Sequence, residues 1–146
     1  MGFREFEQDE IEATLDRERV VRLAFSAPGE TYVVPVFYVW LDGALCGMTT
    51  PGRKTTLAEA NAHVAFQVDS VETTGPWEWS SVSGEGEWEV VTSPDEIGRI
   101  VGRVQRKLRD APEWAPQQLQ ARFAEQGMVT WRLRPARVSG RSHGAD

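Results

Sequence analysis

The run Thr31 to Leu41 limits what this chain can become more than any other stretch. Read as a strand, it puts Val33, Pro35, Phe37 and Val39 on one face and Tyr32, Val34, Val36, Tyr38 and Trp40 on the other, so neither face is polar. A strand without a polar face has to be covered on both sides. A chain of 146 residues builds one core of moderate size, so the second cover is expected to be a bound ligand or a second subunit. Pro35 lacks the N–H that a sheet ladder uses. It marks either an edge strand or a gap through which a flat ligand can reach main-chain groups.

The flanking sequence reads as more strands with helices set between them. Val20 to Ser26 alternates, with Val21, Leu23 and Phe25 facing inward, and Ala27-Pro28-Gly29-Glu30 turns it into the next strand. Asp42-Gly43 sends the chain back as Ala44 to Thr50. His63 to Asp69 points Val64, Phe66 and Val68 one way and places His63 on the other face, where it reads as an ordinary strand histidine. Gln8 to Arg17 is expected to be helical, with Asp9 and Glu12 in capping-box spacing and Ile11 and Leu15 on one face. Ser93-Pro94-Asp95-Glu96 is a second helix start, followed by Ile97, Ile100, Val101, Val104 and Leu108 on one face. The cations Arg99, Arg103, Arg106, Lys107 and Arg109 read as its solvated side. Pro116 to Gln126 forms a further helix with Leu119 and Phe123 inward, and Met128 to Val138 is the last strand. Ser70 to Pro76 is expected to be a loop.

Trp77 to Val91 carries an asymmetry. Strict alternation puts Val82, Gly84, Gly86, Trp88 and Val90 on one face, and leaves Trp77, Trp79, Ser81 and Ser83 with Glu85, Glu87 and Glu89 on the other. Either the two tryptophans meet a second subunit or a pocket, or a bulge near Gly84 flips the register. The order α-β-β-β-α-β-β-α-α-β, with short strand connections, predicts a mainly β, α+β fold: a six-stranded antiparallel barrel with flanking helices, since closure removes long exposed edges. One domain is expected over residues 1–138, with 139–146 a flexible tail.

The net charge of -6 argues against nucleic acid or an anionic membrane as a general partner. No apolar run approaches the ~20 residues of a membrane span, and Cys46, the single cysteine, with His63 and His143 offers no metal pattern. A cytoplasmic, metal-free protein acting on a small molecule is the expectation. No acid, base or nucleophile constellation stands out.

Leu45 to Asn61 is where a ligand would be held. A strand runs through a turn into a helix that opens with Arg53 and Lys54, although a helix N-terminus carries about +0.5 of an elementary charge and disfavours cations. Either the two are solvated turn residues, or they share an anion with the free N–H groups of the helix start. Thr49, Thr50, Thr55 and Thr56 place hydroxyls around the same point.

Taken together, Val33-Val34-Pro35-Val36, Gly52-Arg53-Lys54, Ala60-Asn61-Ala62-His63-Val64-Ala65-Phe66 and Trp79-Ser80-Ser81-Val82-Ser83-Gly84-Glu85-Gly86 resemble the flavin-binding split-barrel family related to pyridoxamine 5'-phosphate oxidase. The nearer similarity is to its short, nitroimidazole-resistance-like branch, and it spans Ile11 to Val138. The resemblance implies a homodimer with flavin mononucleotide (FMN) at its interface. Arg53, Lys54 and Thr55 would hold the phosphate, Thr49 and Thr50 would line the same side, and main chain of Val34, Pro35, Val36 and Phe37 would meet the ring. Trp79, Ser80 and Ser81 would be offered across the interface. Members of that branch often carry a histidine where this chain has Met48-Thr49-Thr50, which departs from a nitroreductase pattern. The implied activity is a flavin-dependent oxidoreductase; alternatives on the same fold are a deazaflavin-dependent reductase and a non-catalytic flavin- or haem-binding protein.

Overall fold

Alternating apolar residues turn directly into one curled antiparallel sheet. In a computed structural model, which describes residues 2–70 and 76–144, the elements are β1 (Gly2–Glu5), α1 (Gln8–Arg17), β2 (Val20–Ala27), β3 (Glu30–Phe37), β4 (Val39–Leu41), β5 (Ala44–Thr49), α2 (Arg53–Ala60), β6 (His63–Asp69), β7 (Trp79–Val90), α3 (Pro94–Lys107), α4 (Trp114–Gln126) and β8 (Val129–Gly144). The strands pair in the order β3-β2-β6-β7-β8-β5-β4, and β1 joins β8 off this path. Only Tyr38 separates β3 from β4. The two ends of the strand order are therefore linked by the chain itself, and the sheet curls into a half-barrel that stays split between β3 and β5.

Eight strands are seen among the described residues where six were expected. One addition comes from Tyr38, which breaks the long apolar strand. Its side chain is fully buried, its hydroxyl donates to the Leu15 carbonyl at 2.6 Å, and its amide donates to the Arg19 carbonyl at 3.1 Å. Helix α1 thus draws the chain out of the ladder at this residue. The other addition, β1, exists because the expected tail is not a tail. Ser139 to Gly144 continue β8 between β7 and β1, with Trp79 opposite His143 and Gly2 opposite Gly144. Polar residues such as Ser139, Arg141 and Ser142 give no apolar alternation to read, yet their backbone satisfies two neighbours. Ala145 and Asp146 lie outside the described residues, as does most of the loop expected over Ser70 to Pro76.

The register shift in the β7–β8 pair falls between Glu85 and Gly86, which face Arg137 and Pro135. The extra residue is therefore Ala136, and the bulge belongs to β8. Alternation survives along β7 as far as Glu89, with Val82, Gly86 and Trp88 buried and Glu87 and Glu89 exposed; Val90, expected on the inward face, is exposed, and Val91 is buried instead.

The main core gathers Leu15, Val21, Leu23, Phe25, Val64, Phe66, Val68, Trp88, Trp131 and Leu133. Trp88 and Trp131 stack with ring centroids 4.9 Å apart, and Gly47 lies so close to the Trp131 indole that a Cβ there would stand 2.8 Å from it. A second cluster packs Val39, Cys46 and Val91 under Ile100 and Val104 of α3. Burial pushes the Cys46 thiol up to about 12, so it is a small apolar filler. The cationic side of α3 is not simply solvated. Arg103 pairs with Asp16 at 2.7 Å, and Lys107 donates to the carbonyls of Glu18 and Tyr38. Burial lowers the Lys107 pKa to about 8. Helix α4 differs from the others, for none of its residues is buried.

Candidate functional site at the split

The opening between β3 and β5 is a cleft of about 330 Å³. Tyr32, Val34, Pro35, Val36 and Phe37 of β3 form one wall, Met48, Thr49 and Thr50 the facing wall, and Lys54 of α2 with Leu119, Arg122 and Phe123 of α4 the remainder. Strand β3 pairs only with β2, so in an antiparallel edge of this kind alternate main-chain groups have no ladder partner. Pro35 sits at this edge, the place where a missing N–H does least harm. Thr49 and Thr50 are buried at the back.

The electrostatics separate the two cations that stand side by side in sequence. Arg53 turns to the rim, where it pairs with Glu30 at 3.0 Å and lies 4.4 Å from the Tyr32 ring centroid. Lys54 turns into the cleft. Burial holds its ammonium below the usual lysine range, and the nearby Arg122 guanidinium lowers it further. Two like charges that face one cleft call for an anion between them. The first turn of α2 contains no acidic residue, and no atom of a non-adjacent residue lies within 4 Å of where a Cβ on Gly52 would stand. Thr55 is engaged locally: its hydroxyl accepts from the Gly52 amide at 2.9 Å and stands the same distance from the Gly52 carbonyl.

Arg122 is the site residue that the sequence reading missed. The signal was present, because Leu119, Arg122 and Phe123 share one face at i, i+3 and i+4. An arginine on the inward face of an amphipathic helix stands out from the surface cations once Leu119 and Phe123 define that face.

With this geometry in view, comparison with family models matches residues 7–142 to the family described as pyridoxamine 5'-phosphate oxidase. The chain belongs to this family. Among solved structures, it is 32% identical to a protein of Mesorhizobium loti described as FAD-binding, covering 99% of this chain and 100% of that one with a TM-score of 0.75. A candidate 5-nitroimidazole antibiotic resistance protein of Bacteroides thetaiotaomicron shares 15% identity, over 97% of this chain and 89% of that one, with a TM-score of 0.69. HutZ of Vibrio cholerae, described as a haem storage protein, shares 15% identity over 90% of this chain and 92% of that one, with a TM-score of 0.66. At that identity the last two show the fold alone. No functionally curated protein matches the chain.

For this member of the pyridoxamine 5'-phosphate oxidase family, the cleft collects Val34, Pro35, Val36, Phe37, Thr49, Thr50 and Lys54, while Arg53 and Thr55 stand just outside it. Trp79, Ser80 and Ser81 line no part of it. They lie at the far end of β7, opposite His143, Ser142 and Arg141 of β8. Trp79 stacks on His143 at 5.4 Å and meets Phe3 edge-on at 5.9 Å. Ser80 faces inward and is buried against the Ser70 hydroxyl. Among the described residues no helix is long and apolar enough to cross a membrane.

Proposed function

We propose that this protein is a flavin-binding oxidoreductase that holds FMN in the cleft at the split and works as a homodimer. The observation that carries the reading is the pair Lys54 and Arg122, two cations brought together in a cleft whose other walls are largely apolar. That combination fits the group: a flat ring needs apolar faces and unpaired main-chain groups, and a phosphate needs clustered cations and hydroxyls. The name of the Mesorhizobium loti relative supports a flavin. A terminal phosphate monoester, which carries ~1.5–2 negative charges, suits two converging cations better than an internal phosphate diester does, and this favours FMN over FAD.

A bound flavin would supply hydride and electron transfer. The chain's own part is binding and shielding. Lys54 and Arg122 would hold the phosphate, Thr49 and Thr50 would complete its hydrogen bonds, and Val34, Val36 and Phe37 would keep water from the ring. Among the described residues the titratable side chains lining the cleft are Tyr32, Lys54 and Arg122, so no acid or base step is assigned to the protein.

The homodimer is supported by apolar side chains left outside: Trp77 is 85% exposed, Phe3 62% and Val33 61%. Contiguous exposed apolar side chains mark association surfaces, and Phe3 packs against Trp79. Trp79 and Ser81, which are remote from their own chain's cleft, would then meet the partner's, while Ser80, buried against Ser70, would not. Trp79→Asp should shift the particle mass towards monomer in light scattering, and an unchanged dimer would remove Trp79 from the interface.

The deciding experiment is an absorption spectrum of the purified protein, then titration with FMN, FAD, deazaflavin coenzyme and haem, with bound ligand separated by gel filtration. A stoichiometric FMN band that oxidises or reduces with an added nicotinamide supports the whole reading. FMN bound without turnover reduces it to a flavin carrier. A protein that ignores both flavins but takes deazaflavin or haem overturns the FMN assignment.

A further inference from the structure

A second cavity of about 240 Å³ lies between α3 and α4. We propose that it is a binding site for an uncharged, two-ring aromatic molecule, the substrate class of the adjoining cleft; the role as substrate rests on the flavin reading above. Helix α3 contributes Val101 and Val104, its C-terminal cap Leu108, and α4 contributes Leu119 and Phe123. Among the described residues no charged side chain lines the cavity. The guest is therefore neutral, because an ion here would lose its hydration without gaining a partner.

Size and chemistry narrow the guest. A dry cavity of ~150 Å³ lined by aliphatic and aromatic side chains accepts one benzene ring, so this one has room for two fused rings. Met48 and Met128 add flexible thioethers to the wall, and sulfur favours contact with aromatic rings. The amides of Gln105 and Gln120 belong to the same lining, and they can bond a carbonyl or hydroxyl on the guest.

Position supplies the functional argument. Met48, Leu119 and Phe123 line both the cavity and the cleft. A molecule held here lies one side chain away from whatever the cleft holds. Because α4 buries no residue, it can yield to admit a guest without exposing a core. Phe123 on α4 stands in the partition between the two.

The test uses the full-length protein labelled with ¹³C at the methionine methyl groups, titrated with 2-naphthol in the presence and absence of FMN. The Met48 and Met128 signals should shift together and saturate. Val101→Trp, which fills the cavity from α3 without touching the cleft, should weaken naphthol at least tenfold while FMN affinity stays within twofold. If that variant does not fold, Gln120→Trp, placed at an exposed position on α4, serves in its place. Absence of any shift up to the solubility limit overturns the site, as does unchanged naphthol affinity in a folded, filled variant. Shifts that follow protein concentration and not naphthol also overturn it, because a second copy then fills the space. Naphthol binding in a protein that refuses FMN leaves the cavity assigned and removes its role as a substrate site.

Discussion

The β7–β8 ribbon and the split between β3 and β5 belong to one sheet and are built on opposite terms. Along the ribbon, every residue of β7 from Trp79 to Val90 has a partner in β8, and the strands press together at Gly84 and Gly86, where a Cβ would run into the Arg137 and Arg134 carbonyl oxygens. At the split, β3 has a neighbour on one side only, Pro35 sits at its edge, and the covering helix α4 buries nothing. Complete pairing leaves a ligand nothing to bind. Incomplete pairing leaves main-chain groups, apolar surface and two like charges in want of a partner, which is why the binding site belongs at the split.

Three changes sharpen the contrast. Gly86→Val attacks the ribbon and should cost about 3 kcal/mol or more, the upper end of what overpacking does, because backbone and not a flexible side chain blocks the added atoms. A urea midpoint close to that of the wild type would show that the ribbon gives way more easily than its contacts indicate. At the split, Lys54→Ala should leave the urea midpoint within ~0.5 kcal/mol and weaken FMN by ~1.5–3 kcal/mol, the range for a hydrogen bond to a charged group. Arg53→Ala, which loses an exposed pair with Glu30, should change FMN affinity by less than ~1 kcal/mol. Equal losses at the two positions would return Arg53 to the phosphate site.

The smallest effect is a pH dependence. Burial and then Arg122 hold the Lys54 pKa below the usual lysine range. In the proposed site protonated Lys54 would bind the phosphate, so FMN affinity should be full at neutral pH and fall on the alkaline side earlier than an ordinary lysine would dictate. Arg122→Gln removes one of the two causes and should move that fall to higher pH while lowering the plateau affinity. Titrations across the alkaline range check this, and a fall that stays in place would mean that Arg122 does not reach Lys54.

Much of the sheet was legible because the apolar period of two is a local property. Val21, Leu23 and Phe25, and likewise Val64, Phe66 and Val68, show their inward face within a few residues, and the structure buries all six. The helix start at Ser93 was equally local: the Ser93 hydroxyl accepts from the Glu96 amide at 3.5 Å. Alternation along β7 as far as Glu89 also reads correctly from the chain alone. What it could not reveal was that the bulge near Gly84 lies in β8, because a bulge is a relation between two strands.

The sequence alone carried the inward faces of most strands, the helix start at Ser93, the family and the cations at an odd place; β1, the break at Tyr38 and the capping of α1 by Glu7 and Glu10, where Asp9 and Glu12 were expected, came only with the fold. Tertiary structure decided where those cations went. Arg53 and Lys54 are neighbours in the chain, but Glu30 and Tyr32 draw one to the rim while Arg122, contributed by a helix nearly seventy residues later, makes the other half of a charge pair. It also turned the polar run Ser139 to Gly144 into strand, since hydrogen bonds between backbones do not depend on which side chains accompany them. Local patterns record what each segment buries; which side chains share a cleft depends on the curl of the sheet, and that exists only when the whole chain has closed.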